Sequence, residues 1–153
     1  MEYVIELIRD LDFVRYLDLQ LNDFGEKGIE MLSEYLKNSK IEFLNLTKIF
    51  IETNNIFFQN LSLSKSMRTL ILNKSGLTNE SLRLFNDSIK SGCSITELDL
   101  SSNFITGSGM EDLISLLHKV RMKKLVLSFN KLNDDGIKKL SEGIDENNFL
   151  EHL

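Results

Sequence analysis

Proline and tryptophan are absent from the 153 residues, cysteine occurs once and histidine twice. Each scarcity closes off a class of protein. With Cys93 alone, no intramolecular disulfide can form, which suits a reducing, cytoplasmic compartment. Paired CxxC and HExxH are missing, so no metal set is spelled out and no cofactor is expected. No apolar run exceeds three residues, too few to span a bilayer as a helix. The N-terminus, Met1-Glu-Tyr-Val-Ile-Glu-Leu-Ile-Arg-Asp, carries acids where a signal peptide carries bases. Positive charge is in the minority, 18 Lys and Arg against 23 Asp and Glu, and the net charge of −5 disfavours generic attraction to nucleic acid or an anionic membrane. Neither is expected as a partner. What remains, 42% hydrophobic and 27% charged, is the composition of a folded soluble chain. Abundant Asn, Lys, Ile and Phe is a bias common in products of A+T-rich genomes.

Against these absences stands one string that returns five times. It reads apolar-x-x-Leu-x-Leu-x-x-(Asn)-x-apolar. The copies begin at Val14, Ile41, Met67, Ile95 and Met122, spaced 27, 26, 28 and 27 residues apart. A sixth begins at Leu150 and stops at Leu153. A fixed period of this length marks a solenoid, in which each repeat buries its apolar face on its neighbours. In Leu17-Asp-Leu19 and its equivalents apolar and polar residues alternate, the mark of a short strand with one buried face. The period then changes. Gly28-Ile29…Leu32…Leu36, Ser81-Leu82…Phe85…Ile89, Gly109-Met110…Leu113…Leu117 and Gly136-Ile137…Leu140…Ile144 place apolar residues on one helix face. Thr78, Thr106 and Asn133 stand where an N-cap is wanted. The Gly opening each apolar set is expected to let the helix lie close to the strand layer.

The string and its period resemble the leucine-rich repeat family, in its ribonuclease-inhibitor-like subclass, over nearly the whole chain. The resemblance implies an α/β solenoid of about five repeats, with a curved parallel sheet on the concave side and helices on the convex side. It implies one domain over 1-153, with an N-terminal capping helix in 1-13, repeats starting near 14, 41, 67, 95 and 122, and a partial sixth over 150-153. It also implies a ladder of Asn side chains at the turn. Asn22, Asn103 and Asn130 hold that position, while Ile49 and Ser75 replace it, so the ladder is expected to break at those two repeats. Repeat two departs furthest. Asn55 replaces the Gly, Gln59 falls on a nominally buried position, and Phe57, Phe58 and Leu61 crowd nearby, so its helix is expected to be rotated or irregular. At the N-terminus, residues 2 to 12 read as one amphipathic helix with Val4, Leu7, Ile8 and Leu11 apolar. At the C-terminus, Phe149 to Leu153 read as a strand with no helix after it, so residues 149-153 are a candidate for self-association.

Catalytic signatures are scarce. GxGxxG, the phosphate loop and GxSxG are all missing. His118 reads as a solvated residue on the convex side and Cys93 as a half-buried structural thiol. Glu97 and Asp99 share a strand face, but Lys124 stands opposite Glu97 on the next strand, which predicts a simple ion pair rather than acid/base work. Lys119, Arg121, Lys123 and Lys124 read as a solvated basic rim. An enzyme is not expected.

Members of the resembled subclass bind partners on the concave strand face. The residues there flank the inner Leu pair, in columns of neighbours roughly 4.8 Å apart. Tyr16, Phe43, Thr69, Glu97, Lys124 and His152 form one column, and Asp18, Asn45, Ile71, Asp99 and Val126 the next. The candidate partner-binding residues are Tyr16, Phe43, Glu97 and Lys124 of the first and all five of the second. Tyr16 and Phe43 are expected to form an exposed aromatic pair. The function implied is a non-catalytic protein-protein interaction module, of the kind found in bacterial effectors and intracellular scaffolds. A structural repeat segment of a larger or self-associating assembly is the alternative, and a GTPase regulator a lesser one.

Overall fold

The computed structural model describes every residue except 1, 10, 12, 90–92 and 145–148. Strand and helix alternate along it. The helices are α1 (Glu2–Arg9), α2 (Gly25–Leu36), α3 (Asn55–Leu61), α4 (Asn79–Ser88), α5 (Met110–Lys119) and α6 (Asn133–Ile144). The strands are β1 (Tyr16–Asp18), β2 (Phe43–Asn45), β3 (Thr69–Ile71), β4 (Glu97–Asp99) and β5 (Lys124–Val126). All five strands lie in one parallel sheet in chain order. Their register sets Leu17, Leu44, Leu70, Leu98 and Leu125 in one row. This row and the one through Leu19, Leu46, Leu72 and Leu100 are buried, and they form the strand side of one continuous core. Helices supply the other side, each packing on the next. The chain is therefore an α/β solenoid, with a parallel sheet on one side and helices on the other.

Each strand ends in the same corner. Leu21, Lys48, Lys74, Ser102 and Phe129, one per repeat, all have φ between 54 and 63°. The left-handed residue turns the chain away from the sheet, and the side chain that follows, except at Ile49, bonds the freed backbone groups. At Asn103 the amide donates to the carbonyls of Leu72 and Leu100 (2.8 and 2.9 Å) and accepts from the N–H groups of Ser75 and Leu77 (both 3.0 Å). Asn130 repeats the pattern on Leu100, Leu127 and Ile105. The expected break at Ser75 does not occur. Its hydroxyl donates to the Leu46 carbonyl at 3.0 Å, and its own carbonyl accepts from Ile51 N at 3.0 Å. A hydroxyl plus the main chain does the work of an amide. At Ile49 the ladder does break, and the side chain is buried apolar volume.

The glycines act between repeats rather than against the strands. A Cβ on Gly136 would overlap the Cα of Gly107 in the preceding repeat, and one on Gly107 would lie 2.6 Å from the Leu132 carbonyl. The expectation that they draw helices toward the sheet is corrected accordingly. The caps are mixed. Asn133 Oδ1 accepts from Gly136 N at 2.9 Å, and Thr78 N–H bonds Ser81 Oγ at 2.9 Å. The Thr106 hydroxyl instead accepts from Asn79 Nδ2 at 2.8 Å.

Helix α3 is short and rotated by one position, about 100°. Phe57, Phe58 and Leu61 face the core, while Ile56, Gln59 and Leu63 face out. Gln59 is thus not buried. Phe58 stacks on Phe85 of α4 at 5.2 Å, which ties repeat two to repeat three. Helix α1 ends at Arg9 and buries Ile5 and Ile8, not Leu7, which is 70% exposed. Beyond α6, His152 makes one parallel bridge to Lys124, with Glu151 N and His152 N bonding the Lys123 carbonyl.

Candidate functional site

Strand register, not loop geometry, assembles the candidate face. Tyr16 and Phe43 are Cα partners on β1 and β2, and their rings stack at 3.9 Å between centroids with 5° between planes. Tyr16 remains 62% exposed, so the pair covers itself only in part. On the next strand the equivalent residue is Thr69, much shorter than an aromatic ring. This step down opens a hollow of about 180 Å³ whose floor is formed by Leu70 and Leu98. Six of the nine expected residues line it: Phe43, Ile71, Glu97, Asp99, Lys124 and Val126.

The other three expected residues lie beside the hollow on β1 and β2. Asp18 accepts from Gln20 N at 3.0 Å and from Asn45 Nδ2 at 3.1 Å. Asn45 is buried and accepts from Thr47 N and Oγ1 at 3.0 and 2.7 Å. Asp99 accepts from Ser101 N at 2.8 Å and from the Ser101 hydroxyl. These three polar side chains close the strand ends by bonding backbone two residues on. Glu97 and Lys124 differ from them. They are register partners, yet among the described residues they form no ion pair, contrary to the expected simple pairing. Both line the hollow with their charges uncommitted.

The basic residues of the expected solvated rim are mostly engaged. Lys119 donates to the Asn86 carbonyl at 2.7 Å, Arg121 lies 5.2 Å from the Phe149 ring centroid, and Lys123 pairs with Glu151 at 3.2 Å. His118 is exposed and sits 3.2 Å from the Gly143 carbonyl, joining α5 to α6. Cys93 packs half-buried against the core, and burial pushes its thiol pKa up, away from the thiolate a nucleophile requires. Among the described residues no three His, Cys, Asp or Glu gather as a metal site would need, and no helix is long and apolar enough to cross a membrane.

A second hollow is not apparent from the repeat string. It is larger, about 820 Å³, and lies along the strand-to-helix loops of the first three repeats. The loop of repeat two runs over nine residues, 46–54, against six or seven in the others (19–24, 72–78, 100–106, 127–132). The extra length carries Phe50 outward, 70% exposed, over Gly76. Gly76 has φ +77° and leaves room for that ring: a Cβ there would lie 3.0 Å from Phe50 Cδ1. Uneven spacing between the Leu pair and the helix is the one signal of it in the sequence.

Known proteins supply the comparison. A family model described as Leucine Rich repeat matches residues 13–33, 93–113 and 122–141. The chain is similar to mouse ribonuclease inhibitor, 28% identical over 147 residues, covering 90% of this chain and 32% of that protein. It is also similar to mouse NACHT, LRR and PYD domains-containing protein 14, 31% identical over 137 residues, covering 86% of this chain and 14% of that one. It therefore spans a third or less of these curated relatives. Among solved structures, the tropomodulin C-terminal domain from Caenorhabditis elegans superposes with a TM-score of 0.73 at 20% identity, covering 95% of this chain and 92% of that one. A leiomodin-1 structure titled actin-binding site 2 gives 0.67 at 17%, covering 84% and 75%.

Proposed function

Because the chain belongs to the leucine-rich repeat family, in its ribonuclease-inhibitor-like subclass, we propose that it is a non-catalytic module whose concave strand face captures a partner protein. The observation that carries this reading is the stacked Tyr16–Phe43 pair, standing 62% exposed at Tyr16 on the rim of a hollow with uncommitted charges. Aromatic residues beside a small pocket are the usual anchors of a protein interface. The mouse relative named for inhibiting a ribonuclease supports a protein as the kind of ligand. The lone half-buried thiol suits action in a cytoplasm, as an intracellular scaffold or a delivered effector. A GTPase-activating role is less favoured, since none of the five arginines, Arg9, Arg15, Arg68, Arg83 and Arg121, lies among the residues of the candidate face.

Capture from lysate by the wild type and by Tyr16→Ala/Phe43→Ala tests the reading. The double variant should lose the captured protein at least tenfold while keeping its circular dichroism spectrum. Undiminished capture would remove the concave face from consideration.

A second reading has its own observation. Ile137 is 52% exposed, where its equivalents Ile29, Leu82 and Met110 are at most 1%. Phe129, Phe149 and Leu153, later in the chain than the fifth strand, are also exposed. This end is chemically a repeat interface without its neighbour, which favours a structural segment that stacks on further repeats or on a second copy through residues 149-153. Light scattering across a concentration series separates the two: a strictly monomeric protein at high concentration sinks self-association.

A further inference from the structure

The concave face leaves open what chemistry the partner brings, and the hollow over Thr69 restricts it. Phe43 presents one ring face to Tyr16, at 3.9 Å and 5°. Because the two residues are cross-strand neighbours, this stacking turns the opposite face of Phe43 toward β3, over Thr69. Phe43 lines the hollow there. One strand further stands Glu97, the register partner of Thr69, and beyond it Lys124 and Val126 on β5 form the far wall. The Glu97 carboxylate has no internal hydrogen bond or ion pair among the described residues, whereas Asp99 is held by Ser101. The hollow, about 180 Å³, accommodates one long side chain rather than a helix or a strand. Glu97 and Asp99 against Lys124 leave the lining one charge negative, so the hollow suits a group flat enough to extend the aromatic stack that carries positive charge toward Glu97 and away from Lys124.

Resting on the concave-face reading, we infer that the hollow over Thr69 receives an arginine side chain of the partner protein. Its guanidinium forms the third layer on Tyr16 and Phe43 and pairs with Glu97. Arginine suits this place better than lysine. Its guanidinium is planar, stacks on aromatic faces and meets a carboxylate with two parallel N–H donors. An ammonium would gain the charge interaction but not the stack. Lys124 lines the same hollow on the strand beyond Glu97, so it sets the guanidinium on the Phe43 side of Glu97 and favours an acidic or neutral neighbour for the arginine.

Selection of a random dodecapeptide phage library on the folded protein tests this and needs no identified partner. Selected peptides should be enriched in arginine. Replacing that arginine by citrulline should weaken binding at least tenfold, and replacing it by lysine several-fold. Glu97→Gln, a change on a half-exposed side chain, should cost at least tenfold. Thr69→Phe, which fills the hollow, should abolish binding with the thermal midpoint within a few degrees of wild type. Should that variant fail to fold, Glu97→Gln and the citrulline peptide carry the test. Peptides without arginine that nevertheless lose binding to Tyr16→Ala/Phe43→Ala overturn this inference and leave the concave-face reading standing. Peptides indifferent to both the double variant and Thr69→Phe overturn the two together. Equal binding of arginine and lysine peptides removes the stacked geometry, and failure to select any peptide counts against the inference.

Discussion

In repeat four, Asn103 gathers carbonyls from two strands and N–H groups from repeat three, and Gly109 opens a helix whose apolar face falls where the period places it. In repeat two, Ile49 stands at the Asn position, Asn55 at the Gly position, and the helix has turned by one residue to bury Phe57 and Phe58. Yet β2 and β4 hold their Leu pairs in the same rows, with the same parallel register. The difference teaches that the strand is the invariant of each repeat. Its backbone bonds run to both neighbours, so a shift there would break two interfaces. A helix needs only to present enough apolar volume to its flanks, and it can rotate to do so. The matches to the family model fall on repeats one, four and five and leave residues 34–92 unmatched.

The comparison can be broken by substitution, read as shifts in equilibrium urea unfolding. Phe58→Ala should have the largest effect, about 3–5 kcal/mol, because it empties a fully buried site that joins α3 to α4. A loss below about 2 kcal/mol would mean that the rotated helix is not what secures repeat two. Asn103→Leu should cost about 2–3 kcal/mol, since two buried N–H groups, on Ser75 and Leu77, lose their acceptor. Gly136→Ala should cost about 1–3 kcal/mol by forcing apart Gly107 and the α6 start. Asn55→Ala, at the same place in repeat two, is exposed and should stay within about 0.5 kcal/mol. If the two cost the same, the close approach is not specific to the regular repeats. Smallest among the buried changes, Ser75→Ala should cost about 1 kcal/mol, one hydroxyl bond to Leu46. A null result there would mean the main-chain carbonyl carries the ladder alone.

Much of this is legible in the residues. Alternation around each Leu pair, repeated at 26 to 28, dictates five strands and their neighbours, and with them the two columns of the candidate face. What is not legible depends on packing between repeats. The apolar residues of α1 suit more than one helix face, and contact with α2 selects Ile5 and Ile8 over Leu7. Gln59 falls on a buried position only while the Gly slot sets the frame, whereas the two phenylalanines set it. Ser75 reads as a gap because a hydroxyl cannot copy an amide alone, but a hydroxyl and a carbonyl can. Glu97 and Lys124 do stand side by side, but register fixes Cα neighbours and leaves long side chains free to point apart. The hollow itself follows from one short residue, Thr69, in a column of longer ones.

The left-handed corner has a consequence for how this sequence can change. Leucine, lysine, serine and phenylalanine hold φ near +60° at five equivalent positions where glycine or asparagine would sit with less strain. At on the order of 1 kcal/mol each, the five together cost roughly 5 kcal/mol, a sizeable share of a typical domain's 5–15. The chain thus carries a reserve of stabilising substitutions at solvent-facing sites, away from the concave hollow. Mutations that reshape the concave hollow at some cost to folding could be offset at the corners, one repeat at a time, without altering a residue that lines that hollow.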